Sequence, residues 1–159
     1  MKLHQQATDN WEYDLSQQEM MCLRMLIQAF PIATGAPRLV SPISRIESGN
    51  QTDERQRVLN ESLSEHRNEL KRKAGKFLTA GKLKAERGGW SLRVSTEDRE
   101  FLLQLLNDVR ISSWRALGEP ENLETQPRPA SDKGSSLYNL MQLAGFFESE
   151  LLEPDESMG

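Results

Sequence analysis

The stretch from Val94 to Pro120, VSTEDREFLLQLLNDVRISSWRALGEP, constrains the fold most, because it holds the start signal, buried stripe and stop signal of one helix. The Ser95 hydroxyl can accept from the backbone N–H three residues on while Asp98 reaches back, a short-armed capping box. Glu97, Asp98 and Glu100 crowd the first turn, where the helix dipole favours negative charge. At the far end Gly118 suits a left-handed position just past the helix, and Pro120 blocks continuation.

At about 100° per residue, Leu102, Leu105, Leu106, Val109, Ser113, Ala116 and Leu117 share one broad stripe, which is the face to bury. A second line, Leu103, Asn107, Arg110 and Trp114, lies about a third of a turn away. It mixes apolar and hydrogen-bonding groups, so something should cover it: a neighbouring helix of the same chain, or a partner. Arg110 and Trp114, four apart, are spaced to stack, worth ~0.5–1 kcal/mol when exposed.

The entry to this helix has a counterpart 79 positions earlier. Trp11, Tyr13, Leu15, Ser16, Glu19, Leu23, Leu26 and Ile27 align with Trp90, Leu92, Val94, Ser95, Asp98, Leu102, Leu105 and Leu106. Each set alternates as a half-buried strand does, then opens a helix at a serine; the first helix should run from Ser16 to about Phe30, before Pro31. Two such short strands are marginal alone, but paired on the helices they make a ribbon that fixes where both helices begin.

The longest helix should run from Asp53 to about Leu78. Its apolar line, Leu59, Leu63, His66, Leu70, Ala74 and Phe77, is narrow and otherwise flanked by charge, as on a helix lying across the outside of a bundle. A last helix, capped at Ser135 or Ser136, turns Leu137, Leu140, Met141, Ala144, Phe147 and Leu151 inward. Segments 31–52 and 118–134 contain prolines and lack a helical period, and read as long flexible loops. The expected architecture is mainly α: one helical domain over residues 1–159, a four-helix bundle-like arrangement with a small two-stranded β ribbon.

Charge is distributed unevenly, although the total is only −4. Between Arg67 and Arg93 there are nine basic residues against Glu69 and Glu86; from Glu119 onward there are nine acids against Arg128 and Lys133. The basic run supplies a candidate nucleic-acid contact in Lys71, Arg72, Lys73, Lys76, Lys82 and Lys84, or else a partner for the acidic region. Phe77 is the one aromatic interleaved there, too few for a stacking platform. Mean hydropathy is −0.65, and the uncharged run 25–37 is interrupted by Pro31 and Gly35, so no membrane span is expected. A single cysteine, Cys22, and an amino terminus without an apolar signal region point to the cytoplasm.

No catalytic constellation is apparent. His4 and His66 are far apart, one cysteine cannot build the usual zinc frameworks, and phosphate-binding glycine loops and the nucleophile elbow are missing. The expectation is therefore no enzyme, no metal and no cofactor.

The segments LLQLLNDVRISSWRALGEP and LYNLMQLAGFFESELL resemble an uncharacterised bacterial helical family, a domain of unknown function found in actinobacteria with a divergent branch in the verrucomicrobia. Its Leu-Asn-Asp-apolar-Arg motif corresponds to Leu106–Arg110, followed by Leu117-Gly118 and a terminal helix that begins with a tyrosine motif. The resemblance implies a helical cytoplasmic protein with no assigned reaction, often encoded near the Clp protease adaptor ClpS. Some members are described as AosR-like redox-responsive regulators. That redox response depends on two neighbouring cysteines, and Cys22 is alone. The reading is a non-enzymatic interaction protein, with self-association as one form, using Leu103, Asn107, Arg110 and Trp114. The alternative is a transcriptional regulator that binds nucleic acid through the basic run.

Overall fold

In the computed structural model Tyr13 and Leu92, equivalent positions of the two related segments, are paired across adjacent antiparallel strands. The structure describes residues 1–32, 50–86, 88–121 and 132–152, the side chains of 50–52 and 132 excepted. Its elements are β1 (Lys2–Ala7), β2 (Asn10–Leu15), α1 (Gln17–Ala29), α2 (Asn50–Thr79), β3 (Leu83–Glu86), β4 (Gly89–Val94), α3 (Thr96–Ala116) and α4 (Asp132–Leu152). The expected pairing of 11–15 with 90–94 is present, from Trp11 opposite Val94 to Leu15 opposite Trp90. With Tyr13 and Leu92 at its centre, that register gives the two units a local two-fold relation.

The sheet corrects the expected architecture. It has four antiparallel strands in the order β1-β2-β4-β3, so the fold is mixed α/β and not a helix bundle carrying a two-stranded ribbon. Both additional strands are edges, and their composition explains why periodicity passed over them. Lys2–Ala7 holds one large apolar residue, Leu3, and Leu83–Glu86 is LKAE. Charged, apolar-poor edges discourage pairing with other chains, which removes the alternating signal that would mark them as strands. Each edge strand turns directly into its neighbour, with Ala7 opposite Asn10 and Glu86 opposite Gly89. Gly88 takes a left-handed φ of +75° in the second turn, and a Cβ at Gly89 would lie 3.0 Å from the Leu15 carbonyl.

Strand alternation directs Tyr13, Leu15, Leu92 and Val94 into the core. There they meet Leu23, Leu26 and Ile27 of α1, Leu102, Leu105, Leu106 and Val109 of α3, and Ala144, Phe147 and Leu151 of α4. The intervening residues form a polar face, on which Ser91 Oγ donates to Glu12 (3.2 Å) and Arg93 lies 3.0 Å from Glu86.

Both expected capping boxes are complete. Ser16 Oγ accepts from the Glu19 N–H and Ser95 Oγ from the Asp98 N–H, each at 3.1 Å, and each acid accepts from its serine's N–H. Lys82 adds a 2.9 Å ion pair to Asp98. Burial pushes the Asp98 carboxyl upward, but Lys82 and the Ser95 hydrogen bonds outweigh it, and the pKa is lowered overall. The two units are also crossed by arginines. Arg99 of α3 stacks 3.6 Å from the Trp11 ring, donates to the Tyr13 hydroxyl at 3.0 Å and bonds the Leu151 carbonyl, and Arg24 of α1 lies 5.9 Å from Trp90.

Two helices depart from expectation. α4 begins at Asp132, ahead of the expected cap at Ser135 or Ser136. On α2 only Leu70, Ala74 and Phe77 of the apolar line are buried, while Leu59, Leu63 and His66 are exposed. Most of the expected loops, residues 33–49 and 122–131, lies outside the described residues. No described helix is long and apolar enough to cross a membrane.

Candidate interaction surface

The second line of α3 is split by its neighbours. Leu103 is partly buried against the core. Asn107 faces a cleft shared with α2, whereas Arg110 and Trp114 face a hollow shared with α4. Ile111 lines both and stands 37% exposed on the ridge between them. Of the two covers foreseen for this line, neighbouring helices of the same chain supply part: α4 takes one side, and the ridge stays open within the chain.

The cleft between α2 and α3 has a volume of about 410 Å³. Leu63 and Leu70 line its α2 wall, Ile111 and Asn107 its α3 wall. A three-residue clamp closes the floor. Arg67 donates to Ser112 Oγ at 2.9 Å and lies 3.5 Å from Asp108, and the Ser112 hydroxyl donates to the same Asp108 oxygen at 3.1 Å. The aspartate of the Asn-Asp-apolar-Arg motif therefore ties α3 to the long helix. Arg115 stands exposed at the rim.

The second hollow, about 360 Å³, is lined by Arg110, Ile111, Trp114, Met141, Gln142 and Gly145. The helix end holds Trp114 in place: its indole N–H donates to the Pro120 carbonyl at 3.0 Å, across the turn that Gly118 makes at φ +93°. Arg110 does not stack on it. Its guanidinium donates to Asn107 Oδ1 at 3.0 Å and reaches to 3.5 Å from Glu148 of α4, without a hydrogen bond to that oxygen. Burial pushes the Glu148 carboxyl up, with Arg110 only partly offsetting it.

Several of the basic residues expected to meet nucleic acid have acids beside them. Lys73, Lys76 and Lys82 line a hollow together with Glu97, Asp98 and Glu100. Lys73 lies 3.6 Å from Glu69 and Lys82 is bound to Asp98, while Lys71 and Arg72 are exposed on α2 and Lys84 sits on edge strand β3. Local acids therefore neutralise part of the run.

Other residues singled out in the sequence have ordinary surroundings. Cys22 is half-buried against the core. His4 lies in β1, 3.1 Å from Asp14, and the exposed His66 lines the α2–α3 cleft. Among the described residues no three His, Cys, Asp or Glu side chains are grouped as a metal site. Sequence reasoning did not single out Ile111, although an isoleucine off both α3 lines was a signal to follow. Compared with known protein families, curated proteins and solved structures, the chain matches none.

Proposed function

We infer that this is a non-enzymatic protein of the cytoplasm that works by contact with another protein, through the carboxyl-terminal half of α3. The supporting observation is Ile111, exposed on a ridge between two hollows whose otherwise largely polar linings include the apolar side chains Leu63 and Met141. Exposed apolar groups that adjoin one another with a polar rim mark contact surfaces more often than isolated ones do. Asn107, Arg110 and Trp114 supply that rim, and Asn107 and Trp114 are held by hydrogen bonds within their own chain, so their geometry is set before a partner arrives. The resemblance in Leu106–Arg110 points the same way, to a helical protein without a reaction of its own.

The test is photo-crosslinking in growing cells with a photoreactive residue at position 111, and separately at position 21 as a control on α1. A discrete adduct from 111 and none from 21 is the expected result, and its mass distinguishes a second copy from another protein. No adduct from 111 would end this reading.

A further inference from the structure

Two related strands lie side by side at the centre of the sheet, and a strand that fits its relative is also a candidate to fit a second copy of itself. Exchange of equivalent elements between copies is a low-cost route to dimers. At the 79-residue offset Glu12 corresponds to Ser91 and Asp14 to Arg93. Carried over to two copies, the observed register sets Tyr13 opposite Tyr13 and Glu12 opposite Asp14 in a β2–β2 pair. A β4–β4 pair sets Leu92 opposite Leu92 and Ser91 opposite Arg93.

The core face of the strands does not choose between these arrangements. Within one chain Trp11 is opposite Val94 and Leu15 opposite Trp90; between copies Trp11 would be opposite Leu15 and Trp90 opposite Val94. Over two molecules the same side chains are used, with each tryptophan beside an aliphatic residue in both cases. The polar face does choose. Within one chain Glu12 accepts from Ser91 Oγ at 3.2 Å and lies 3.5 Å from Arg93, which also bonds both oxygens of Glu86, at 3.0 and 3.2 Å. Glu12 is only 7% exposed, so water does little to soften a wrong neighbour there. A β2–β2 pair replaces that cation by a carboxylate, twice over, and like charges directly opposite across strands are destabilising.

We propose that Glu12, Asp14 and Arg93 are the specificity residues of the central strand pair. They direct β2 to the β4 of its own chain and reject a sheet built from like strands of two copies. Repulsion in the wrong pairing, added to attraction in the right one, is how closely related surfaces are told apart. The strand that fits β2 is one that brings a cation opposite Glu12.

Refolding the full chain from denaturant over a concentration series, with light scattering to read the dimer fraction, provides the test. Asp14→Arg leaves Glu12 opposite Arg93 within the chain but gives a β2–β2 pair two contacts of opposite charge, so the dimer fraction should rise above that of the parent. Adding Arg93→Glu sets two carboxylates against each other within the chain while the β2–β2 contacts stay attractive. The dimer fraction should then rise further, to at least about tenfold that of the parent at the same concentration. The Asp14 side chain is 46% exposed, so Asp14→Arg alone decides the matter if the double variant does not fold. Equal dimer fractions in the proteins compared, or a larger fraction in the parent, would overturn the proposal.

Discussion

The two halves of α2 follow one apolar period and meet opposite fates. In the carboxyl-terminal half Leu70, Ala74 and Phe77 are each 5% exposed or less, and Phe77 packs 5.8 Å from Phe101 of α3. In the amino-terminal half Leu59 and Leu63 continue the same line into solvent. The helices also differ in length. At 1.5 Å per residue, the 30 residues of α2 extend about 45 Å, whereas the 21 of α3 reach about 32 Å. The outer half of α2 nonetheless runs beside α3, with an open cleft lined by Leu63 and Ile111 between them. A helical period shows which face is apolar; which part of it is buried depends on how closely the neighbouring element packs.

The sharpest way to break this comparison is to truncate the buried half. Phe77→Ala should lower stability by ~3–5 kcal/mol in chemical denaturation, the usual range for a buried phenylalanine. A loss below about 1 kcal/mol would mean that this half is no better anchored than the other. Between the halves sits the Arg67–Ser112–Asp108 clamp. Asp108→Asn should cost about 1 kcal/mol and speed amide exchange over 53–66 more than over 70–78. Uniform exchange along α2 would place the boundary elsewhere.

The two capped helices offer a control from related positions. Ser16→Ala and Ser95→Ala should each cost about 1 kcal/mol, since both serines complete the same reciprocal bonds. A large difference between them would weaken the correspondence of the two units.

The smallest effects are those of pH. Folding raises the Glu148 pKa through burial, so the folded protein binds that proton more tightly than the unfolded chain. Its contribution to stability is present below the ordinary carboxylate range and lost as pH rises through the raised value, so Glu148→Gln should melt slightly higher at neutral pH and converge with the parent in acid. Asp98 behaves oppositely. Its depressed pKa means stability present above the ordinary carboxylate range and lost as pH falls through the lowered value, so Asp98→Asn should melt lower at neutral pH. Melting curves across the acid range check both signs.

Much of this was legible in the residues, but unevenly. Ser16 and Ser95, each with an acid three positions on, marked both helix starts, and the WEYDL and WSLRV alternations marked the central strands and their pairing. Those signals are local. The edge strands were not legible because a good edge lacks the apolar alternation that identifies a strand. Asn107, Arg110 and Trp114 stood out as a second line on α3, and the structure puts them around one ridge. The exposure of Leu59, Leu63 and Ile111 was hidden, because it depends on the relative lengths and placement of α2 and α3.

The most direct measurement is the thermal melt of Leu63→Asp beside that of Leu70→Asp, one charge placed at positions about two helical turns apart on the same line. If the outer half of α2 is surplus to folding and kept for a partner, Leu63→Asp should melt within about 2 °C of the parent, as surface changes do, while Leu70→Asp should lose cooperative folding. Comparable losses from the two substitutions would mean that the outer line is part of the core, and the proposed contact surface would be contradicted.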